Sequence, residues 1–140
     1  MSAPLQETLA AEHARLYLYG VLGARTSLAA TPVLLATLTD CYRQHRALRD
    51  QLRQMLRDAG AEPVAAAPAY DVPPGWTSPG AISAAALGLE VATVETMAAM
   101  VARTIGEHRR WALAALQWSA VRQLELGGEP ATWPGAPELA

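Results

Sequence analysis

The chain has no lysine, no phenylalanine and no asparagine, and it has a single cysteine, Cys41. One cysteine excludes an internal disulfide and fits a reducing compartment, so a cytoplasmic protein is expected. All eleven Lys-or-Arg positions are arginine and alanine is abundant, a bias that points to a GC-rich genome rather than to a function. Neither sign of charge dominates. A formal net charge of −2 argues against a general nucleic-acid binder. No run of about 18 uncharged apolar residues stands out, so no membrane span is expected. The opening MSAPLQETLAAEH lacks a basic segment leading into an apolar one, and no secretory leader is expected. Gly-rich phosphate loops, CxxC, HExxH and GxSxG motifs are all missing.

What is present is helical periodicity. At 140 residues the chain is long enough for one domain with a real core. A first helix is expected from about Leu5 to Leu28, following Pro4, with Leu5, Leu9, Leu16, Tyr19 and Gly23 on its apolar stripe. Glu12 falls on that stripe. The Thr31-Pro32 pair reads as a cap and first-turn proline for a second helix, whose stripe is Leu38, Cys41, His45, Leu48, Leu52 and Met55, ended by Gly60. Residues 61–80, AEPVAAAPAYDVPPGWTSPG, contain five prolines and cannot continue a helix. They read as one long ordered connection. A third helix follows Ser78-Pro79 and runs to about Thr104, with Leu87, Glu90, Val94, Met97 and Val101 in register. A fourth, about Glu107 to Leu126, carries His108, Trp111, Ala115, Trp118 and Arg122, and Gly127-Gly128 stops it. The expectation is an all-α, up-down four-helix bundle over residues 1–128, with a long crossover between helices 2 and 3 and a Pro/Gly-rich tail over 129–140.

The segments AEHARLYLYGVLGA, YRQHRALRDQL and GAEPVAAAPAY, with a Glu in the third helix, resemble an actinobacterial ferritin-like domain family of unknown function. The resemblance spans roughly residues 5–126 and implies a ferritin-like fold with no established activity. The wider superfamily holds two iron or manganese ions with one Glu from each of two helices and a Glu-x-x-His from each of the others. Glu12 and Glu90 match the single glutamates, and His45 matches one histidine. Three residues before His45, however, stands Tyr42, and the fourth helix has no Glu-x-x-His. At least three of the six ligands are missing, which makes a full di-metal site improbable.

Hairpin geometry suggests a substitute. Residues equally far from an antiparallel turn lie at one height. A turn near residues 30–31 sets Glu12 level with Arg49, and one near 106 sets Glu90 level with Arg122. A buried carboxylate needs a counter-charge, and an Arg fork supplies bidentate donors much as a cation would. The expected buried polar network is therefore Glu12, Tyr42, His45, Arg49, Glu90 and Arg122, with Tyr17, Tyr19 and Tyr70 as further hydroxyls within reach. His13, about 100° round the helix from Glu12, belongs at the edge. Arg43, Arg46, Arg53 and Arg57 interleave with Asp40, Asp50 and Asp58 and read as a solvated face.

Two functions compete. One is a homodimeric binding or interaction protein without a complete metal site or other cofactor, not an enzyme; Leu16–Leu22 is apolar almost all round and needs cover on a second side, from the crossover with Tyr70 and Trp76 or from a second subunit. The other is an oxidoreductase-type protein binding a single iron or manganese ion at Glu12, His45 and Glu90. No substrate can be read from the chain.

Overall fold

The computed structural model describes residues 2–140; Met1 lies outside the described residues. Four α-helices form, and no strand is present among the described residues: α1 (Ser2–Ala24), α2 (Pro32–Asp58), α3 (Pro79–Arg103) and α4 (Gly106–Glu125), followed by a 3₁₀ turn at Pro137–Leu139. α1 extends through Pro4, whose missing N–H costs nothing in a first turn. It ends at Ala24 rather than Leu28, where Arg25 N–H donates to the carbonyls of Val21 and Leu22. α2 opens at Pro32, but Thr31 does not cap it; the Thr31 hydroxyl donates back to the Ser27 carbonyl at 3.2 Å instead. α3 has the expected cap, with Ser78 Oγ accepting from Ala81 N–H at 3.2 Å ahead of Pro79.

α1 and α2 form one antiparallel hairpin, and α3 and α4 another. The segment between them runs along α1 from end to end. Gln6 donates to the Glu62 carbonyl at 2.7 Å and accepts from Val64 N–H at 2.8 Å. His13 Nε2–H donates to the Val64 carbonyl at 2.9 Å, the Tyr17 and Tyr70 rings meet at 5.5 Å, and Arg25 donates to the Trp76 carbonyl. The chain is thus returned to the end of the fold where α1 finishes and α2 begins. α3 therefore runs parallel to α2 and antiparallel to α1, with contacts from Tyr19–Glu90 to Thr8–Met100 and Glu7–Arg103.

The buried stripes follow the periodicity with one-residue shifts; on α3 Ala86 and Met100 are buried in place of Leu87 and Val101. Leu22 and Leu56 are buried where the sequence pointed to their neighbours Gly23 and Met55. On α4 the inward line is Ala112, Ala115, Leu116 and Ser119, while Trp111, Trp118 and Arg122 sit on the flank. Small side chains let α4 approach α3 closely; Trp111 packs beside the cluster of Leu5, Leu52 and Met100, and Trp118 beside that of Tyr19, Leu38 and Ile82. By length and composition α3 would serve to cross a membrane, with a mean hydropathy of 1.4 over 18 residues. The expectation of no such segment came from seeking an uncharged run, which Glu90 and Glu95 interrupt. The tail folds back on α3, where Gly135 (φ +77°) lies so close that a Cβ would sit 2.6 Å from the Val94 carbonyl oxygen.

Candidate functional site

Midway along the helices, Glu12, His45 and Glu90 are each fully buried and meet in one cluster. Each lies on an apolar stripe, so folding that stripe inward carries the polar group into the core. His45 bridges the two carboxylates: Nδ1 is 2.6 Å from Glu12 Oε2 and Nε2 is 2.9 Å from Glu90 Oε1. Two carboxylate acceptors, one at each ring nitrogen, require both nitrogens to donate, which is the imidazolium form. Burial is the largest single influence and pulls the His45 pKa down. The charges and hydrogen bonds of Glu12 and then Glu90 together outweigh it and raise the pKa to about 9. Burial likewise pushes Glu90 up, but the hydrogen bond and charge of His45, with Tyr19, hold it below the usual carboxylate range.

Arg15 supplies the second cation. Nη1 donates to Glu12 Oε1 at 2.9 Å, and Nη2 donates to the Ala92 carbonyl at 3.0 Å and to Thr96 Oγ1 at 2.6 Å, tying α1 to α3. Tyr19 donates its hydroxyl to Glu90 Oε1 at 2.6 Å, and its ring stacks on His45 with centroids 5.1 Å apart. Burial and the Glu90 charge push the Tyr19 pKa far upward, so it stays a neutral donor. Burial, then Glu90, pushes the Cys41 thiol up to about 12, leaving it a small apolar neighbour. Two carboxylates and two cations balance. Glu90 Oε2 and Ser119 Oγ have no hydrogen-bond partner, yet Ser119 is near enough to help lower the Glu90 pKa.

Three residues expected in the network lie outside it. Arg49 donates from Nε to Asp50 Oδ1 at 2.9 Å, and Tyr42 is 38% exposed. Arg122 stacks over Trp118 at 4.5 Å and pairs with Glu125. The Arg49 error is one of height. Because α1 stops at Ala24, the hairpin centre falls earlier than residues 30–31 and Glu12 comes level with His45. The Arg122 error combines height and angle: α3 ends at Arg103 and α4 begins at Gly106, so the hairpin centre falls before 106 and buried Ser119 comes beside Glu90, with Arg122 one turn on and on the flank. Arg15 went unread although its spacing of three from Glu12 on one helix was a legible sign of pairing.

As a donor set for metal, the cluster is poor. Each ring nitrogen of His45 is directed at a different carboxylate, and three of the four carboxylate oxygens already accept hydrogen bonds. Among the described residues no three His, Cys, Asp or Glu side chains are placed to share one ion. These residues do not fit a di-metal centre, which needs several converging negative ligands.

A conserved hypothetical protein, rv2844, from Mycobacterium tuberculosis has a similar crystal structure, with a TM-score of 0.81 and 29% identity over 89% of this chain and 92% of that one. No curated protein matches. The family model described as a domain of unknown function, DUF4439, matches residues 4–138. Spanned almost end to end by that model, the chain belongs to the DUF4439 family.

Proposed function

We propose that this protein is a ferritin-like four-helix bundle in which a histidinium and an arginine neutralise the two inward glutamates, and that it acts as a binding protein rather than a metal-dependent oxidoreductase. The ferritin-like reading is supported by two hairpins joined by one crossover that runs the length of the fold, leaving α3 parallel to α2. The metal-free reading rests on one observation: His45 occupies the space between Glu12 and Glu90 and addresses both. A divalent ion there has to displace a proton from a group whose pKa is raised to about 9, beside a fixed guanidinium that repels it.

A second reading, a single iron or manganese ion at Glu12, His45 and Glu90, is favoured by the unpartnered Glu90 Oε2. One experiment separates the two. ¹⁵N spectra of His45 at pH 7 report whether both ring nitrogens carry protons, before and after ferrous iron or Mn²⁺ is added to chelator-free protein. The proposal expects two protonated nitrogens and no stoichiometric metal. Two equivalents of iron per chain, lost in His45→Ala, would overturn it; one equivalent that deprotonates a ring nitrogen would establish the second reading.

A further inference from the structure

Several side chains that the central cluster leaves out converge elsewhere. Tyr17, Tyr42, Tyr70, His13 and Arg49 line one groove of about 500 Å³ between α1, α2 and the crossover, on the outer side of Leu16. Gly20 forms part of its floor, where an added Cβ would meet the Tyr42 ring at 3.8 Å. Each wall is held. The Tyr17 and Tyr70 rings meet at 56°, making an aromatic corner, and the Tyr70 hydroxyl accepts from Ala67 N–H at 2.9 Å. His13 anchors the same strap through Val64. Tyr17 and Tyr42 nevertheless remain 39% and 38% exposed, facing the concavity.

The charged lining of the groove is basic, and the nearest carboxylate is Asp50, outside the lining and paired with Arg49. The lining contains an arginine and a histidine and no carboxylate. Arg49 spends Nε and Nη2 on one oxygen of half-exposed Asp50, and its Nη1 has no partner among the described residues. An exposed pair of that kind contributes at most about 1 kcal/mol, so a ligand anion competes for the guanidinium on equal terms. Concave sites of roughly 300–1,000 Å³ with aromatic walls and few polar groups are the usual form of a small-molecule site. We propose that this groove binds a small aromatic carboxylate, its ring in the tyrosine corner and its carboxylate on Arg49.

This proposal gives a ligand class to the binding role inferred above. Its failure is distinguishable from failure of the metal-free centre, which is read from the nitrogens of His45. The test is calorimetric titration of the full chain with 2-naphthoate and with neutral 2-naphthalenemethanol. The acid is expected to bind saturably at one site, about ten-fold tighter than the alcohol. Arg49→Gln, a surface change outside the core, is expected to reduce the acid to the level of the alcohol. Gly20→Leu fills the floor and is expected to abolish binding of both. No saturable heat up to about 5 mM naphthoate, equal affinity for acid and alcohol, or affinity for the acid unchanged in Arg49→Gln would each overturn the assignment. Should Gly20→Leu fail to fold, the arginine variant and the acid–alcohol pair still decide it.

Discussion

Both ring nitrogens of His45 donate to buried carboxylates, so its charge is part of the folded state and its loss is a stability event. Its folded pKa, raised to about 9, lies above the ordinary value of 6.5. The contribution is therefore fully present below pH 6.5 and is lost as pH rises through 9, an effect on the order of 3 kcal/mol. Glu90 behaves oppositely: its pKa is lowered from 4.5, so its share is present above that value and is lost as pH falls through the folded pKa. Urea unfolding from pH 4 to 10 is expected to show greatest stability near pH 4.5–6.5 and a decline from about pH 6.5 that levels off above about pH 9. A flat profile would mean that His45 is neutral. Removing one partner is costly for the same reason. Glu12→Gln strands Arg15 and half of His45, and a loss of about 3 kcal/mol is expected. Arg49→Gln should stay within about 0.5 kcal/mol, because its one polar partner among the described residues is half-exposed Asp50 and Gln keeps much of the stem. Equal losses in the two variants would return Arg49 to the network. The three central residues were legible because ionised groups on apolar stripes stand out. Arg15 shows in the sequence only as an i,i+3 neighbour of Glu12, whereas the hairpin geometry placed the counter-charge on the facing helix.

At the scale of elements, periodicity located all four helices, and the errors came at their ends and in their rotation. Four residues of lost helix at the end of α1 moved the hairpin centre far enough to bring His45, one turn from Arg49, opposite Glu12. α4 was misrotated because its largest apolar residues were assigned to the core. Close packing of α3 and α4 selects small residues for the interface, Ala112, Ala115 and Ser119, and leaves amphipathic Trp111 and Trp118 half-buried on the flank of α4. Trp111 accordingly donates Nε1–H to Gln51 at 2.6 Å. The tail offers a sharper test of element packing. Gly135→Ala places a Cβ 2.6 Å from the Val94 carbonyl at a φ of +77°, a double penalty of about 1–3 kcal/mol. The variant is expected to release the tail to limited proteolysis while the four-helix core keeps its unfolding midpoint. A shift of that midpoint by more than about 0.5 kcal/mol would show that the tail is part of the core.

At the scale of the whole molecule, the apolar girdle of α1 that suggested a dimer is covered on one side by the protein's own crossover, through Tyr70 and Trp76. Another apolar surface takes its place. Leu113, Val121 and Leu124 lie 44%, 60% and 47% exposed along one face of α4, and Trp133 on the nearby tail is 54% exposed. We expect a homodimer burying at least about 1,200 Å² in total through this surface. Light scattering at high micromolar concentration checks this, and Val121→Arg should convert the dimer to monomer. A monomeric wild-type mass at that concentration would remove the dimer.

The crossover divides the central charges unequally between the two hairpins it joins. Glu12, Arg15 and protonated His45 belong to the first, leaving one positive charge in excess; Glu90 alone belongs to the second. Each hairpin in isolation would therefore bury its core with an uncompensated ion, or with His45 or Glu90 neutralised and its partner's hydrogen bonds missing. The closing contacts join residues 71 and 96 positions apart, so they form only after the strap has carried α3 the full length of α1. Each half remains an incomplete folding unit until the other docks. The charge cluster also sets the register of that docking, since a slip of one turn along α3 separates Glu90 from His45.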